Sequence, residues 1–233
     1  MSAWVIGIDP GISGAIALLD DQGNVVNLMR PPLVQIQKGK TLRNQFNLPL
    51  LSRMIQSMKV AATEAGKRLV VYIEQVHAMP TDGGIQAFTF GRSFGQMEGI
   101  IAAYDLPCTG VHSSEWKAYM VAKQVSAPKV SKDDSAKITK KMRDRMRRQV
   151  TKFRKIASVE AAIRLFPGQA ERFSGQHGDG AAEALLLAEW GRRRETSSAM
   201  TKPKQEKVVI DVPDLKALLD DAAPEVDVEE TAE

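Results

Sequence analysis

Four acids stand where they could handle phosphate. Asp9 closes the apolar run Trp4-Val5-Ile6-Gly7-Ile8, Glu74 closes the β-rich run Arg68-Leu69-Val70-Val71-Tyr72-Ile73, and Asp179 and Glu183 open a helical stretch. Positions i and i+4 lie about 40° apart around a helix axis, so Asp179 and Glu183 point the same way. Their neighbours Gly178, Gly180, Ala181, Ala182 and Ala184 are small, which lets the helix approach a sheet and carry its acids to the strand ends. A single acid at a strand end is often a solvated cap. Four in such settings point to a shared site. Clustered carboxylates repel one another, and burying them unpaired is costly. A divalent cation removes that penalty, and an all-oxygen donor set suits Mg²⁺, with Mn²⁺ as a substitute, rather than zinc. Two ions about 3.5–4 Å apart can clamp a phosphodiester, one activating water and the other stabilising the leaving 3′ oxygen. Such chemistry needs no nucleophilic Ser or Cys.

The elements that must position these acids are legible in outline. Trp4 to Ile8 reads as a buried strand, and Asp9-Pro10-Gly11-Ile12-Ser13-Gly14 as a turn. Ala15–Leu19 and Val25–Met29, separated by Asp20-Asp21-Gln22-Gly23-Asn24, complete an antiparallel three-stranded meander. Residues 30–46, with Pro31-Pro32 and a basic stretch, read as a loop. Leu51, Met54, Ile55, Met58 and Ala62 share a helical face over Leu48–Ala65, with Gly66 as C-cap. A helix before the apolar strand Arg68–Glu74 predicts a crossover and parallel pairing. Residues 78–95 read as a glycine-bearing loop and Gly95–Tyr104 as a helix. Leu106–Val111 reads as a strand and the stretch from Ser113 or Ser114 through Tyr119 as a capped helix. Further helices are predicted at Ile156–Phe166 and Gly180–Trp190.

Charge is unevenly spread. The net charge of +4 divides into +10 for residues 1–200 and −6 for residues 201–233, which hold 4 Lys and 10 acids. Residues 129–155 alone carry twelve Lys or Arg against three acids. A basic body implies an anionic partner. The expected organisation is one nuclease domain over residues 1–195 with a basic, partly helical insertion at about 126–155. An acidic, mobile tail over 196–233 follows, with a short helical segment at Leu215–Leu219 and the capacity to compete with DNA for the basic segment. Cys108 is the only cysteine, which excludes an intrachain disulfide and a cysteine-based zinc site. No apolar run spans a membrane and the N-terminus lacks signal-peptide features. These features predict a cytoplasmic protein, in the host cell's cytoplasm if phage-encoded.

Ile6-Gly7-Ile8-Asp9-Pro10-Gly11-Ile12-Ser13-Gly14 resembles the opening of RuvC-type Holliday junction resolvases. Tyr72-Ile73-Glu74-Gln75 is similar to their second acidic strand, and Asp179-Gly180-Ala181-Ala182-Glu183-Ala184-Leu185-Leu186-Leu187-Ala188 to their final acidic helix. The stretch from Ala78-Met79-Pro80 through Phe90-Gly91 to Gly95 is similar to bacteriophage members. The resemblance spans roughly residues 3–192, with a gap at the basic segment. It implies an α/β, ribonuclease H-like fold: a five-stranded mixed sheet, three antiparallel strands then parallel ones, flanked by helices. It also implies a Mg²⁺-dependent endodeoxyribonuclease acting on four-way or other branched DNA, active as a homodimer, with Asp9, Glu74, Asp179 and Glu183 holding two metal ions. Lys117 resembles a lysine that family members keep near the active site, where it could stabilise developing phosphorane charge. Two departures stand out. The last two acids are four apart rather than three; if Asp179 is not a ligand, His177 is the next candidate, with a surface loop histidine as the alternative. The position that carries a junction-wedging aromatic in bacterial relatives is His77, which moves that role to Phe88 or Phe90.

DNA contact is expected from Phe88, Phe90 and Arg92 and from the basic segment, through Lys137, Lys140, Lys141, Arg143, Arg147 and Arg148, with Lys38, Lys40 and Arg43 adding charge. Phe94, four residues after Phe90, is assigned to the core, and Phe88 is left open between core and DNA. Gly95, Gly99, Ala102 and Ala103 mark a candidate dimer face, with packing against the chain's own sheet as the alternative. A sugar-kinase or actin-like ATPase also opens with strand, acid and glycine turn, but it needs two such domains and a second glycine-rich loop. A non-catalytic DNA-binding relative, or a nuclease for flaps, forks or single strands, remains as the alternative function.

Overall fold

The structure is a computed structural model that describes residues 2–75, 83–126, 139–175, 177–196, 201, 202, 204 and 206–209. It is an α/β protein organised around a five-stranded mixed sheet. Strands β1 (Ala3–Ile8), β2 (Ile16–Leu19), β3 (Val25–Met29), β6 (Arg68–Glu74) and β7 (Cys108–Val111) are ordered β3-β2-β1-β6-β7. The predicted meander is antiparallel, and β6 and β7 extend it as parallel strands. Helices α1 (Leu48–Glu64) and α2 (Gly84–Ala103) cover one face of the sheet. There Ile6, Ile8, Ile16, Leu18, Val71 and Ile73 pack against Leu51, Ile55, Met58, Met97 and Ile101. Side chains alternate across a strand, so Val5, Gly7 and Tyr72 face the other way. That face is covered by α5 (Gly178–Thr196), whose residues Ala182 to Gly191 are buried except Glu183.

The seating of α5 is set by missing side chains. A Cβ on Gly7 would strike the Ala184 carbonyl and the Ala188 backbone, and a Cβ on Gly191 would strike the Tyr72 ring. A Cβ on Gly180 would come 2.6 Å from the Ser13 carbonyl and 2.9 Å from Gly14 Cα. The helix backbone therefore lies directly on β1 and on the turn that carries Asp9. Its far end is fixed by Tyr72, which packs edge-on to Trp190 at 5.6 Å and donates to Glu195 at 2.7 Å.

Several sequence expectations are corrected. Residues 30–46 form a hairpin, β4 (Leu33–Lys38) and β5 (Thr41–Phe46), rather than a loop. Its two-residue turn places Gly39 at φ +62, a conformation suited to tight hairpins. Only its base is anchored, through buried Phe46 and half-buried Leu33, so the apolar alternation that marks a strand is weak. Helix α2 begins at Gly84, not Gly95; Gly84, Gly91 and Gly95 are helical, and packing of Met97 and Ile101 outweighs the roughly 1 kcal/mol that each interior glycine costs. Helix α3 (Ser113–Met120) is preceded by His112 as N-cap, without a side-chain cap from Ser113 or Ser114. The separate helix expected at Ile156–Phe166 is the second half of α4 (Lys140–Leu165). A 3-10 turn (Pro167–Phe173) follows.

The chain divides into two compact units, one of residues 1–122 with 155–205 and the other of residues 123–154 with 206–233. In the second, β8 (Lys123–Ser126) pairs in parallel with β9 (Glu206–Val209), a strand within the stretch expected to be a mobile tail. The first half of α4 buries Met142 and Met146, and Arg154 donates to the Val125 carbonyl at 3.1 Å. Lys137 and Leu215–Leu219 lie outside the described residues, as does the remainder of the acidic tail beyond Val209. No helix among the described residues is long and apolar enough to cross a membrane.

Gly7→Ala tests the seating of α5. The added methyl has only backbone to displace, so this substitution should cost about 3 kcal/mol, at the upper end for overpacking. Gly99→Ala, in open space on α2, should be neutral or slightly stabilising. Urea denaturation of both variants measures the difference.

Candidate active site

The first acid is placed by its own turn. Asp9 follows β1, its amide donates to the Ala15 carbonyl at 3.0 Å, and Gly11 donates to Asp9 Oδ1 at 3.3 Å. The parallel register pairs Ile8 with Ile73, so the next residue on each strand, Asp9 and Glu74, emerges at the same edge of the sheet. Glu183 reaches that edge from α5, because Gly180, one turn earlier, lets the helix close on the Asp9 turn; a Cβ at Gly180 would lie 3.3 Å from Asp9 Oδ2. Three acids from three distant stretches thus act electrostatically on one another.

Burial and repulsion both show in their protonation. Removal from water pushes the half-buried Asp9 carboxyl up to about 7; the charges of Glu183 and Glu74 add to the rise, against the Gly11 amide and Lys117. Glu74 is also raised, first by burial and then by Glu183, while Lys117 and a hydrogen bond from Trp116 pull it down. Trp116 is fully buried on α3 and donates from Nε1 to Glu74 Oε2 at 3.1 Å.

Two lysines supply opposite charge. Lys117 Nζ lies 2.7 Å from Glu183 Oε1 and 4.9 Å from the Trp116 ring centre. Lys155 Nζ lies 2.5 Å from Asp179 Oδ2, and that ion pair, followed by the charges of Glu183 and Asp9, raises the lysine's own pKa. Ser158, buried on α4, donates to Glu183 Oε1 at 3.0 Å. As the side chains stand, no three His, Cys, Asp or Glu among the described residues close around one point. The donor chemistry nonetheless fits a hard divalent cation: oxygen ligands only, mutually repelling, with Asp9 held in a half-buried position where its negative charge lacks full compensation.

Asp9, Glu74, Glu183 and Lys117 are brought together. Asp179 lies on α5 one turn before Glu183 and is paired with Lys155. His177 occupies the turn before α5 in a left-handed conformation, φ +71, and His77 lies outside the described residues. Phe88, Phe90 and Arg92 ride on α2, with Phe88 72% and Phe90 37% exposed, while Phe94 packs against the core. Lys140, Arg143, Arg147 and Arg148 are exposed on α4, which also carries Lys141. Gly95, Gly99, Ala102 and Ala103 face outward from α2 rather than onto the sheet. Lys155 and Ser158 were missed as individual site residues. Their three-residue spacing beside Ala157, Ala161 and Ala162 was the available signal.

The raised Asp9 carboxyl makes the metal-free fold pH-dependent. Between about pH 4 and 7 the folded state holds a proton on Asp9 that the unfolded state releases, so this contribution to stability falls as pH rises through that window. Asp9→Asn should flatten the dependence and stabilise the chelator-treated protein at pH 8 by up to about 4 kcal/mol, read by thermal unfolding of both proteins from pH 4 to 8. An unchanged pH profile would show Asp9 to titrate normally. No protein-family model matches the chain and no curated protein matches it, so a functional reading rests on the residues and geometry above.

Proposed function

We propose that this chain is a ribonuclease H-like, Mg²⁺-dependent endonuclease that hydrolyses phosphodiesters in branched DNA, as the RuvC-type resemblance implies. The observation that carries the reading is the meeting of Asp9, Glu74 and Glu183 at one end of the sheet, beside Lys117. In this reading Asp9, Glu74 and Glu183, with Asp179 as the fourth acid, hold two Mg²⁺ ions, and Mn²⁺ can replace them. Bound there, such ions supply an activated water and stabilise the leaving 3′ oxygen. The protein contributes the frame: the β1–β6 register fixes two carboxylates side by side, Trp116 orients Glu74, and Ser158 orients Glu183. Lys117 keeps a positive charge within the acid group, where it offsets charge building on a phosphate.

The exposed cations of α4, Lys140, Arg143, Arg147 and Arg148, together with Lys137 and Lys141, give DNA affinity through phosphate neutralisation. Phe88, Phe90 and Arg92 on α2 contact the branch. A four-way junction is nearly two-fold symmetric, and a C2 homodimer through the outward small-residue face of α2 matches it. Sedimentation should then show a dimer.

One observation favours a second reading. Pairing of Glu183 and Asp179 with lysines suits a DNA-binding relative that has no catalysis. Labelled junction, fork, flap and duplex DNA, incubated with and without Mg²⁺, separate the two. The nuclease reading expects junction cleavage only with Mg²⁺, and an Asp9→Asn protein that binds the junction but leaves it intact. Binding without cleavage of any substrate favours the second reading. Arg147→Ala/Arg148→Ala should weaken junction binding and reduce the slope of log affinity against log salt by about 1–2.

A further inference from the structure

The hairpin β4–β5 and the first half of α2 enclose a cleft of 280 Å³ that the acid cluster does not use. Arg43 and Asn44 of β5 line one side, and Phe88, Arg92 and Gln96 of α2 line the other. Ile12, three residues beyond Asp9 in the same turn, also lines it. The volume falls at the lower edge of the roughly 300–1,000 Å³ typical of ligand sites, room for one flat group and its substituent but not for a duplex.

The lining offers three kinds of recognition in one place. Arg43 and Arg92 are both exposed, and neither meets a carboxylate among the described residues; two guanidinium groups on opposite walls suit a phosphate. Phe88 is 72% exposed and offers an open ring face on which a flat partner can stack. Asn44 and Gln96 bring amide donors and acceptors, which match the edge of a base. A base inside a duplex has both faces stacked and its pairing edge occupied, so only an unpaired one can meet all three.

We propose that this cleft binds one unpaired nucleotide of a DNA strand, the base stacked on Phe88 and its phosphate held by Arg43 and Arg92. The inference rests on the reading of the chain as acting on branched DNA and names the feature of the branch that is recognised. Because Ile12 belongs to the Asp9 turn, a strand anchored in the cleft is tied to the segment that carries the first acid.

The test measures binding in chelator, so cleavage plays no part. A single strand carrying 2-aminopurine is titrated with the full-length protein, beside the same strand fully paired. The parent should quench the 2-aminopurine, and Asn44→Ala/Phe88→Ala should abolish the quenching. That variant should lose about tenfold in single-strand affinity and distinctly less in duplex affinity. Both side chains are exposed, and an unchanged thermal midpoint confirms the fold. Equal losses for the two DNAs, or none, overturn the proposal. So does competition by a free deoxynucleoside monophosphate at the concentration of the strand, which would make the cleft a mononucleotide site. A protein that passes this test yet never cuts DNA removes the nuclease reading and leaves the cleft. One that cuts but fails it does the reverse.

Discussion

Everything at the candidate site depends on how closely one helix lies on the sheet. Where Gly7 and Gly180 meet α5 and the Asp9 turn, no side chain intervenes and the contacts are backbone to backbone. The seating converts a separation of well over a hundred residues in sequence into an approach of Glu183 to Asp9. Dispersion and apolar burial along Ala182 to Trp190 stabilise it, and Trp190 and Tyr72 close the far end. An α-helix with ordinary side chains at these positions would stand farther from the sheet and leave its acids out of reach of the strand ends.

That frame buries acids and brings like charges together at a cost, visible in the Asp9 and Glu74 carboxyls, raised first by burial and then by Glu183, with Glu74 adding to the rise of Asp9. The fold offsets it in three ways. Lys117 and Lys155 bring opposite charge, Trp116 and the Gly11 amide donate hydrogen bonds to the acids, and Ser158 satisfies a Glu183 oxygen. Asp9 itself receives one amide hydrogen bond, at 3.3 Å, and the attraction of Lys117, which together do not cancel the effect of its burial. Compensation is thus incomplete where the first strand ends, and the Asp9 carboxyl stays raised to about 7.

The sheet was legible because its signals are local and strong: apolar runs ending at Asp9 and Glu74, two glycine turns, and a helix between parallel strands. The acid group was legible for the same reason, since small residues around Asp179 and Glu183 announce close packing. Lys155 and Ser158 were not, because their role is set by tertiary contact, and a lysine inside a run of twelve basic residues carries no individual mark. The β4–β5 hairpin was obscured by polar residues on both faces, Gln35, Gln37 and Asn44 on one and Arg43 and Gln45 on the other, with only Leu33 and Phe46 to report its anchorage. Helix α2 was shortened by its glycines, which propensity penalises and packing tolerates. Strands β8 (Lys-Gln-Val-Ser) and β9 (Glu-Lys-Val-Val) are short and half polar or more, so no apolar run marks them as the run Ile16–Leu19 marks β2.

The ribbon of β8 and β9 has a consequence for the order in which the molecule is made. Its second strand follows α5 in the chain, so all strands of the main sheet and the helix that completes its acid group leave the ribosome before the ribbon can close. Parallel pairing between such remote segments carries a loop-closure cost that local contacts do not repay. The nascent chain therefore acquires its carboxylate cluster first and the β-ribbon beside its most cationic segment last. Release of a protein cut short after Thr196 would yield the former without the latter.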